Sequence, residues 1–282
     1  MATHLKNKGT HFVMEVSSHA IHQKRVEGID FTIKALTNIT QDHLDYHHTL
    51  SEYTAVKHSF LRGAPHIVRP QDFEKETLEF TPQLLGDYNI KNLQCAQLIL
   101  KKCGLTQQEI NTHLATIPAP PGRFEPLIGP WPFTLIIDFA HTPDALENVL
   151  KTAKKLAIEN KGRLISVFGC GGDRDTSKRS QMGRISSNLA DITIITSDNP
   201  RSESPEEIIK DVQKGVLSAT KTIVQVDRKE AIHHAVQIAE PHDIIVLAGK
   251  GHETYQIVRD IKMPFDEKKI AKDALKKYGY IH

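Results

Sequence analysis

From residue 133 onward, short runs of apolar residues alternate with longer segments of helical pattern. The apolar runs predict buried strands, and the segments between them predict helices. This alternation is typical of an α/β fold with a doubly wound, mostly parallel sheet of five or six strands. The predicted strands are Phe133–Asp138, Leu164–Phe168, Ile192–Thr196, Thr222–Val226 and Ile244–Ala248, and the predicted helices are Pro143–Ala157, Arg179–Leu189, Pro205–Leu217 and one that begins at Lys229.

The start of one helix is especially clear in the sequence. Ser204 suits the N-cap position, and Pro205 suits the first helical position because it has no N–H to leave unpaired. Glu207 stands three residues after Ser204, which predicts a capping box.

The first 117 residues show a less regular pattern. A segment rich in proline and glycine, Pro118–Pro132, follows them and interrupts regular structure. We therefore predict two domains, residues 1–122 and residues 123–282. The elements predicted in the first part are the strands His11–Val16 and Lys34–Ile39 and the helices Leu50–Leu61 (capped by Thr49), Asn89–Lys102 and Gln107–Thr116.

Composition excludes several classes of function. Lys and Arg number 36 against 34 Asp and Glu, so the net charge of +2 gives no reason to expect a nucleic-acid partner. No apolar run reaches the roughly 20 residues that a membrane-spanning helix needs, and the first residues lack the apolar core of a secretory signal. The three cysteines have no metal-type spacing, which favours a reducing, cytoplasmic compartment.

Charged and glycine-rich segments follow four of the predicted strands. In a parallel sheet, ligands bind beyond the carboxyl ends of the strands, so we expect these segments to form one site. They are residues 138–141 (DFAH), 169–174 (GCGGDR), 198–201 (DNPR) and 249–253 (GKGHE).

Each segment also has a simpler interpretation as a turn. The GCGGDR segment is not a dinucleotide fingerprint, because Arg174 replaces its third glycine. The DNPR segment precedes a helix start, where an anionic group is favoured, and Arg201 could grip a carboxylate with two hydrogen bonds. Glu253 offers a carboxylate to a ligand amine. Polar turns without a ligand remain the alternative for all three.

Two acidic and histidine-containing segments occur in the first part of the chain. Glu15 to His19 follows one predicted strand, and Asp42 to Asp45 follows the other. Carboxylates and an imidazole without cysteines suit Mg²⁺ with phosphates better than zinc. Because the chain has 16 histidines, single histidines are weak indicators.

Taken together, these segments resemble the Mur ligase family. Any one of them would be weak, but nine occur in one order between residues 11 and 266. They are MEVSSHAIHQKR (14–25), LTNITQDHLDYH (36–47), AVKHSF (55–60), GDYNIKN (86–92), PPGRFE (120–125), IDFAHTPDALENVL (137–150), FGCGGDRDTSKR (168–179), SDNPRSE (197–203) and LAGKGHETYQIV (247–258).

The resemblance implies a partial central ATPase-type domain followed by a Rossmann-like C-terminal domain. It also implies a cytoplasmic, monomeric ligase of peptidoglycan synthesis. This enzyme would use ATP and Mg²⁺ to join an amino acid to a UDP-muramoyl peptide through an acyl phosphate. The DNPR tetrapeptide is similar to the motif of members that add meso-diaminopimelate to UDP-N-acetylmuramoyl-L-alanyl-D-glutamate.

The family's functional residues carry over to positions in both parts of the chain. Ser17, Gln23 and Arg25 would contact the muramoyl dipeptide. Glu15, His43 and Lys57 would serve catalysis and the metal, with Lys57 carbamylated. Asn89, Arg123, Asp138 and His141 would bind the nucleotide. Diaminopimelate would be bound by Arg174, Asp198, Asn199, Pro200, Arg201, Gly249 and Glu253.

The sequence departs from the family at two places. It contains no G-x-x-x-x-G-K-[ST] phosphate loop, and only 28 residues separate Lys57 from Gly86, where relatives carry several more elements. We therefore expect a chain that is N-terminally truncated and internally shortened and does not hydrolyse ATP alone. The alternatives are a non-catalytic binding module, a ligase for another amino acid such as L-lysine, and a folylpolyglutamate-type enzyme.

Overall fold

The computed structural model describes residues 9–281. Its larger part is a six-stranded sheet. From one edge to the other, the strands are Glu125–Leu127, Thr134–Asp138, Ile244–Ala248, Leu164–Phe168, Ile192–Ile195 and Lys221–Val224. Within this sheet only the first two strands pair antiparallel. This confirms the predicted α/β fold with a mainly parallel sheet. The elements from residue 125 are β3 (Glu125–Leu127), β4 (Thr134–Asp138), α7 (Pro143–Asn160), β5 (Leu164–Phe168), α8 (Ser177–Leu189), β6 (Ile192–Ile195), α9 (Pro205–Gln213), β7 (Lys221–Val224), α10 (Arg228–Ile238), β8 (Ile244–Ala248), β9 (Tyr255–Val258), β10 (Ile261–Pro264) and α11 (Glu267–Lys277).

The sheet has an apolar core on each face. On one face, α7, α8 and α9 pack against alternate strand residues such as Ile136 and Val246. On the other face, α10 and α11 pack against the intervening residues, such as Leu135 and Ile245. Since side chains alternate across a strand, both faces must be apolar, and this explains the continuous apolar runs of the central strands.

The first part of the chain is mostly helical. Its two short strands, β1 and β2, form a separate parallel pair, Ile33–Ala35 with His66–Val68. The predicted division at residue 122 stays a prediction. The elements are α1 (Ser18–His22), β1 (Ile33–Ala35), α2 (Leu44–His47), α3 (Leu50–Phe60), β2 (His66–Val68), α4 (Pro70–Phe73), α5 (Asp87–Lys102) and α6 (Gln107–Leu114).

Two predictions for the first part need correction. The segment His11–Val16 is not a strand, because no strand within residues 9–281 pairs with it, and Val13 is 93% exposed. The strand predicted at Lys34–Ile39 exists but ends at Ala35, where its pairing with β2 ends. The helix predicted at Leu50–Leu61 is confirmed, and the Thr49 hydroxyl accepts the Glu52 amide as its cap (3.2 Å).

The capping box predicted for α9 is wrong, although Ser204 and Pro205 do occupy the N-cap and first helical positions. The Ser204 hydroxyl donates instead to the Glu206 carboxylate (2.6 Å), so it makes no cap hydrogen bond. The hairpin of β9 and β10 and the edge strand β3 were not predicted from the sequence. Within residues 9–281, no helix has the length and apolar character to span a bilayer.

Candidate functional site

The four segments expected at one edge of the sheet do lie together. They follow the carboxyl ends of β4, β5, β6 and β8. Backbone hydrogen bonds connect them: the Gly249 amide donates to the Asp138 carbonyl (3.0 Å), and the Gly172 amide donates to the Asn199 carbonyl (2.9 Å). The segments therefore form one continuous rim.

Arg201 is held at this rim by an unusual backbone conformation. Its φ of +52° lies in the left-handed region, which costs a non-glycine residue about 1–3 kcal/mol and is most often found at functional sites. The Arg201 amide donates to the Ile257 carbonyl (3.1 Å), and the Arg201 carbonyl accepts the Arg259 amide (2.7 Å). The β9 edge thus fixes the strained residue.

The Arg201 guanidinium lies among backbone carbonyls and another cation. Its Nη1 donates to the Gly172 carbonyl (2.8 Å). Burial, together with the charge of Arg174, lowers the pKa of Arg201. A guanidinium stays protonated at neutral pH all the same. Two guanidinium groups that repel each other at a half-buried rim favour binding of an anion such as a carboxylate.

Close packing holds the loop after β5 against the DNPR loop. The Asp173 carboxylate accepts hydrogen bonds from the Ser202 hydroxyl (2.6 Å) and amide (3.1 Å). The Glu203 carboxylate accepts from the Asp173 amide (2.6 Å) and from the buried Arg179 guanidinium (2.8 Å). A Cβ at Gly172 would overlap the Pro200 carbonyl. Glycine at position 172 thus allows the two loops to touch.

Glu253 lies in the segment after β8 and contacts the DNPR loop through Asn199. Its Oε2 accepts a hydrogen bond from Asn199 Nδ2 (3.2 Å) and lies 3.3 Å from Lys250 Nζ. Its Oε1 accepts a hydrogen bond from the Tyr255 hydroxyl (3.3 Å). The Glu253 side chain is 19% exposed, so Oε1 offers an anionic acceptor to an amine.

Asp198 and Gly249 stabilise the loops that carry the rim residues. Asp198 is buried, and its Oδ1 lies 2.9 Å from Lys250 Nζ. Burial alone would raise the pKa of Asp198, but the charges of Lys250 and Arg228 hold it below the usual value. Gly249 has φ +120°, and a Cβ there would come within 3.0 Å of Asp198 Oδ2. Asp198 is therefore a buried residue that supports the loop.

The linker before β3 packs on the start of the rim. The Arg123 guanidinium lies 4.6 Å from the centre of the Phe139 ring. His141 Nδ1 donates to the Phe139 carbonyl (2.9 Å). Asp138 is buried, and burial raises its pKa although the Phe124 and Ala140 amides donate to it. Asp138 thus fastens the linker to β4, while Arg123 and His141 remain near solvent.

A cavity of about 330 Å³ lies beside Asn89, between α5 and the linker. The Asn89 side chain donates to the Leu85 carbonyl (2.8 Å) and accepts from Asn92 (3.3 Å). A mostly apolar slot with a few polar side chains at its wall, Asn89 among them, suits a flat heteroaromatic ring. The other lining residues are Gln83, Leu84, Leu85, Pro118, Ala119, Phe124, Glu125 and Pro126.

Lys57 on α3 lies close to the carboxylates of the first part. Its Nζ donates to the Val16 carbonyl (3.3 Å). Burial lowers the pKa of Lys57, and the nearby charges of Glu15 and Asp42 only partly oppose this. His43 lies 3.6 Å from Asp42, measured from Nε2 to Oδ2. Burial therefore favours the neutral, nucleophilic form of the Lys57 amine.

These residues do not form a complete metal cage. In the described part of the chain, no three His, Cys, Asp or Glu side chains are grouped so as to hold a metal ion. Mg²⁺ usually takes one or two carboxylates and completes its shell with water and phosphate. The described side chains therefore do not fit a metal held by protein alone, and Glu15, His43 and Lys57 stay the predicted partners of a phosphate-bound ion.

The three residues expected to contact a muramoyl peptide surround α1. The Ser17 hydroxyl caps this helix by accepting the Ala20 amide (3.1 Å). Gln23 donates to the Tyr46 hydroxyl over 3.4 Å, and His22 also contacts this hydroxyl (2.8 Å). Arg25 is exposed. The side chains of Gln23 and Arg25 are therefore accessible to a large ligand.

Contacts between the two parts of the chain bring the Asp42–His47 region against the rim. Gln41 Nε2 donates to Asp175 Oδ2 (3.0 Å) and to Ser177 Oγ (3.1 Å). Arg174 Nη1 lies 3.8 Å from Asp45 Oδ2. The proposed metal region and the arginine rim thus adjoin. The sequence analysis named Asp45 within the acidic segment 42–45. It did not identify Gln41, Lys250 or Tyr255 as site residues, although all three lie within motifs that it did single out.

Comparison with known proteins agrees with the fold and with these motifs. Residues 122–251 match the Mur ligase, glutamate ligase domain family, and residues 1–68 match the Mur ligase middle domain family. A UDP-N-acetylmuramoyl-L-alanyl-D-glutamate--2,6-diaminopimelate ligase of Fusobacterium nucleatum is 39% identical over 95% of this chain. The enzyme of the same name from Thermosynechococcus vestitus is 40% identical over 94% of it.

The chain spans 64% and 62% of the lengths of these two relatives. The alignment with the Fusobacterium protein runs over 314 positions, more than the 282 residues of this chain. The relative therefore has residues within the aligned range that this chain lacks. The sequence places this shortening between Lys57 and Gly86, and that position stays a prediction.

Solved structures show the same architecture. A structure of a UDP-N-acetylmuramoyl-L-alanyl-D-glutamate--2,6-diaminopimelate ligase is 29% identical with a TM-score of 0.54, covering 96% of this chain and 66% of that one. A pseudomurein peptide ligase type C from Methanothermus fervidus is 16% identical, with a TM-score of 0.65 over 93% of this chain and 66% of that one, and it supports the fold alone. With both domain families matched in order and close relatives of the same kind, the chain belongs to the Mur ligase family.

Proposed function

We propose that this chain is the amino-acid-selecting part of an ATP-dependent ligase that adds meso-diaminopimelate to UDP-N-acetylmuramoyl-L-alanyl-D-glutamate. The observation that carries the proposal is the rim, where Arg201 and Arg174 offer cations and Glu253 offers an anion. A carboxylate and an ammonium on one carbon form the free amino-acid centre of diaminopimelate, and they match this charge pattern. The names of the two ligases similar to this chain support the same substrate.

The proposed reaction joins two substrates through an activated carboxyl group. The muramoyl-peptide carboxylate attacks the ATP γ-phosphate and forms an acyl phosphate, with ADP as the leaving group. The diaminopimelate amine then attacks the acyl carbon, phosphate leaves, and an amide bond remains. Mg²⁺ would supply charge neutralisation at the phosphates. The residues of this chain would mainly hold the substrates in place, which is a large part of the catalysis of such transfers.

The roles follow the three groups of residues described above. Ser17, Gln23 and Arg25 would hold the muramoyl dipeptide beside α1. The cavity beside Asn89 would take the adenine ring, and Arg123 and His141 would approach the nucleotide from the linker. Asp138 would act by fastening that linker. The diaminopimelate pocket would comprise Arg174, Asp198, Asn199, Pro200, Arg201, Gly249 and Glu253.

The rim favours diaminopimelate over other amino acids. L-lysine has a distal amine but no distal carboxylate, so it would leave the Arg201 guanidinium without a partner. A buried or half-buried charge without its partner lowers affinity strongly. A folate substrate would have no use for the exposed Gln23 and Arg25 beside α1. Both alternatives are therefore less well supported than diaminopimelate.

The resemblance to the family implies that Lys57 is carbamylated, and its surroundings support this expectation. CO₂ reacts with a neutral amine, and burial lowers the pKa of Lys57. We expect a carbamate signal in ¹³C NMR of the protein in ¹³C-bicarbonate, and we expect its intensity to rise with pH as the neutral fraction of the amine grows. Lys57→Ala should abolish this signal, and Lys154→Ala on α7 should leave it unchanged. A signal that persists in Lys57→Ala would contradict the assignment.

A chimera tests the function as a whole. The chain would be joined to the N-terminal portion of the Fusobacterium relative, and amide formation and phosphate release would be assayed with ATP, Mg²⁺ and the muramoyl dipeptide. We expect turnover with meso-diaminopimelate and far less with L-lysine. Turnover with lysine only would overturn the proposed substrate. Binding of diaminopimelate without turnover would favour a non-catalytic binding module.

A further inference from the structure

The loop after β8 contains a lysine that is completely buried. Lys250 has no exposed surface, and its Nζ lies among three side-chain oxygens of the rim. These are Asp198 Oδ1 at 2.9 Å, Glu253 Oε2 at 3.3 Å, and Asn199 Oδ1 within hydrogen-bond distance. Burying an ammonium is costly unless it is paired and hydrogen-bonded, so the arrangement is specific to these partners.

No other cation of the described chain contacts the same set of side chains. Arg228, also buried, is engaged elsewhere: its guanidinium pairs with Glu267 (2.8 Å) and donates to the Ala248 carbonyl (2.8 Å). Lys250 is therefore the group that ties Asp198 of the DNPR segment to Glu253 of its own segment. It contacts Glu253 through Oε2 and leaves Oε1 to the pocket.

Asn199 is the second element of this arrangement. Its Oδ1 accepts from Lys250 and from the Ile257 amide (2.9 Å), so its Nδ2 must face Glu253 Oε2 (3.2 Å). Lys250 and the Ile257 backbone amide thus fix the orientation of the Asn199 side-chain amide together, and that amide in turn helps hold the Glu253 carboxylate. The contacts form a closed ring through Lys250, Asn199 and Glu253.

We propose that Lys250 is the positioning residue of the amino-acid pocket, which holds Asn199 and Glu253 so that one carboxylate oxygen receives the substrate ammonium. The proposal rests on the proposed function for the identity of the substrate but not for the geometry. Lys250 itself would not touch the substrate. It differs in this respect from Arg201 and Glu253.

Removing the ammonium has a clear physical consequence. Lys250→Met keeps most of the aliphatic stem but removes the ammonium that lies close to both the Asp198 and the Glu253 carboxylates. The charges of Arg201 and Arg228 remain in the surroundings but do not replace these contacts. The Glu253 carboxylate is then expected to turn away, because it is the more exposed of the two. We expect the affinity for meso-diaminopimelate to fall roughly 10- to 100-fold, since charge-assisted hydrogen bonds to the ammonium are lost.

The experiment compares three purified variants of the chain with the parent. Lys250→Met removes the ammonium, and Lys250→Gln keeps a donor to Asn199 but removes the charge. Lys154→Met is the matched control, because Lys154 pairs with Asp191 (2.8 Å) at the opposite edge of the same sheet. Each would be titrated with meso-diaminopimelate by calorimetry, and hydrogen exchange of the Ile257 amide would be measured without ligand.

The expected result separates positioning from folding. Lys250→Met should bind diaminopimelate weakly, and its Ile257 amide should exchange faster than in the parent. Lys250→Gln should also bind weakly, but its Ile257 amide should stay protected. Lys154→Met should match the parent in both measurements. Parent-like binding by both Lys250 variants overturns the proposal. So does failure of both to fold, because Lys250 would then be a folding residue. If the parent binds no diaminopimelate, the proposed function fails. Hydrogen exchange of the Ile257 amide, measured without ligand, still tests whether Lys250 positions Asn199.

Discussion

Arg201→Ala is expected to weaken the binding of meso-diaminopimelate roughly 10- to 100-fold. A guanidinium that grips a carboxylate with two hydrogen bonds in a half-buried pocket contributes about 1.5–3 kcal/mol, and about 1.4 kcal/mol corresponds to a tenfold change in affinity. L-lysine lacks the distal carboxylate, so its weak binding should change little. Calorimetric titration of both amino acids gives the ratio that tests this expectation.

Arg259→Ala is the matched control for this prediction. Arg259 is an exposed arginine that also has a positive φ (+54°), and it lies on the adjoining turn between β9 and β10. Its substitution should leave both affinities unchanged. Arg201→Lys should not restore binding, because an ammonium cannot reproduce the planar fork. Equal losses for diaminopimelate and lysine in Arg201→Ala would mean that Arg201 is only a turn residue.

Gly172→Ala is expected to destabilise the fold and to abolish measurable binding of diaminopimelate. The added Cβ would overlap the Pro200 carbonyl, and backbone must move to relieve the overlap. Overpacking of this kind costs about 1–3 kcal/mol of the free energy of unfolding. The DNPR loop would shift with Pro200, so Arg201 would leave its position. Urea unfolding measures the first effect, and titration with diaminopimelate measures the second.

Gly171→Ala provides a neighbouring control. Its Cβ would come within 2.9 Å of Arg201 Nη1, the end of a flexible side chain, and no backbone atom lies closer than 3.8 Å among the nearest contacts. We expect little loss of stability and a moderate loss of affinity. If Gly172→Ala were as stable as the parent and bound diaminopimelate equally well, the close contact between the two loops would not organise the pocket.

The sequence predicts the fold best where strands are buried on both faces. The strand Leu164–Phe168 has the predicted bounds, because a run that is apolar except for Ser166 and ends in glycine leaves little choice. The segment His11–Val16 shows where the pattern of apolar residues fails to predict a strand correctly. Its apolar residues suit a strand, but a strand needs a partner, and none pairs with it within residues 9–281. The capping box at Ser204 failed because Glu206 competes for the hydroxyl.

The site was predictable in its location and less so in its contacts. Topology alone places DNPR and GKGHE at one edge, because both follow parallel strands. The DNPR and GKGHE segments indicate Arg201 and Glu253 as candidate ligand-binding residues. The burial of Lys250, in contrast, depends on contacts with Asp198 and Asn199, which follow another strand. A lysine between two glycines would ordinarily be taken for a solvated turn residue. The proposed role of Lys250 as a buried positioning residue can be inferred only once the strand ends are brought together in the folded sheet.

The measurement that tests the central claim most directly is a calorimetric titration of the unmodified chain with meso-diaminopimelate, L-lysine and D-glutamate. The rim of Arg174, Arg201 and Glu253 predicts saturable binding of meso-diaminopimelate, at least tenfold tighter than that of L-lysine, since one charge-assisted contact differs between them. Equal affinity for diaminopimelate and lysine, or binding of neither, would contradict the claim that this rim selects diaminopimelate.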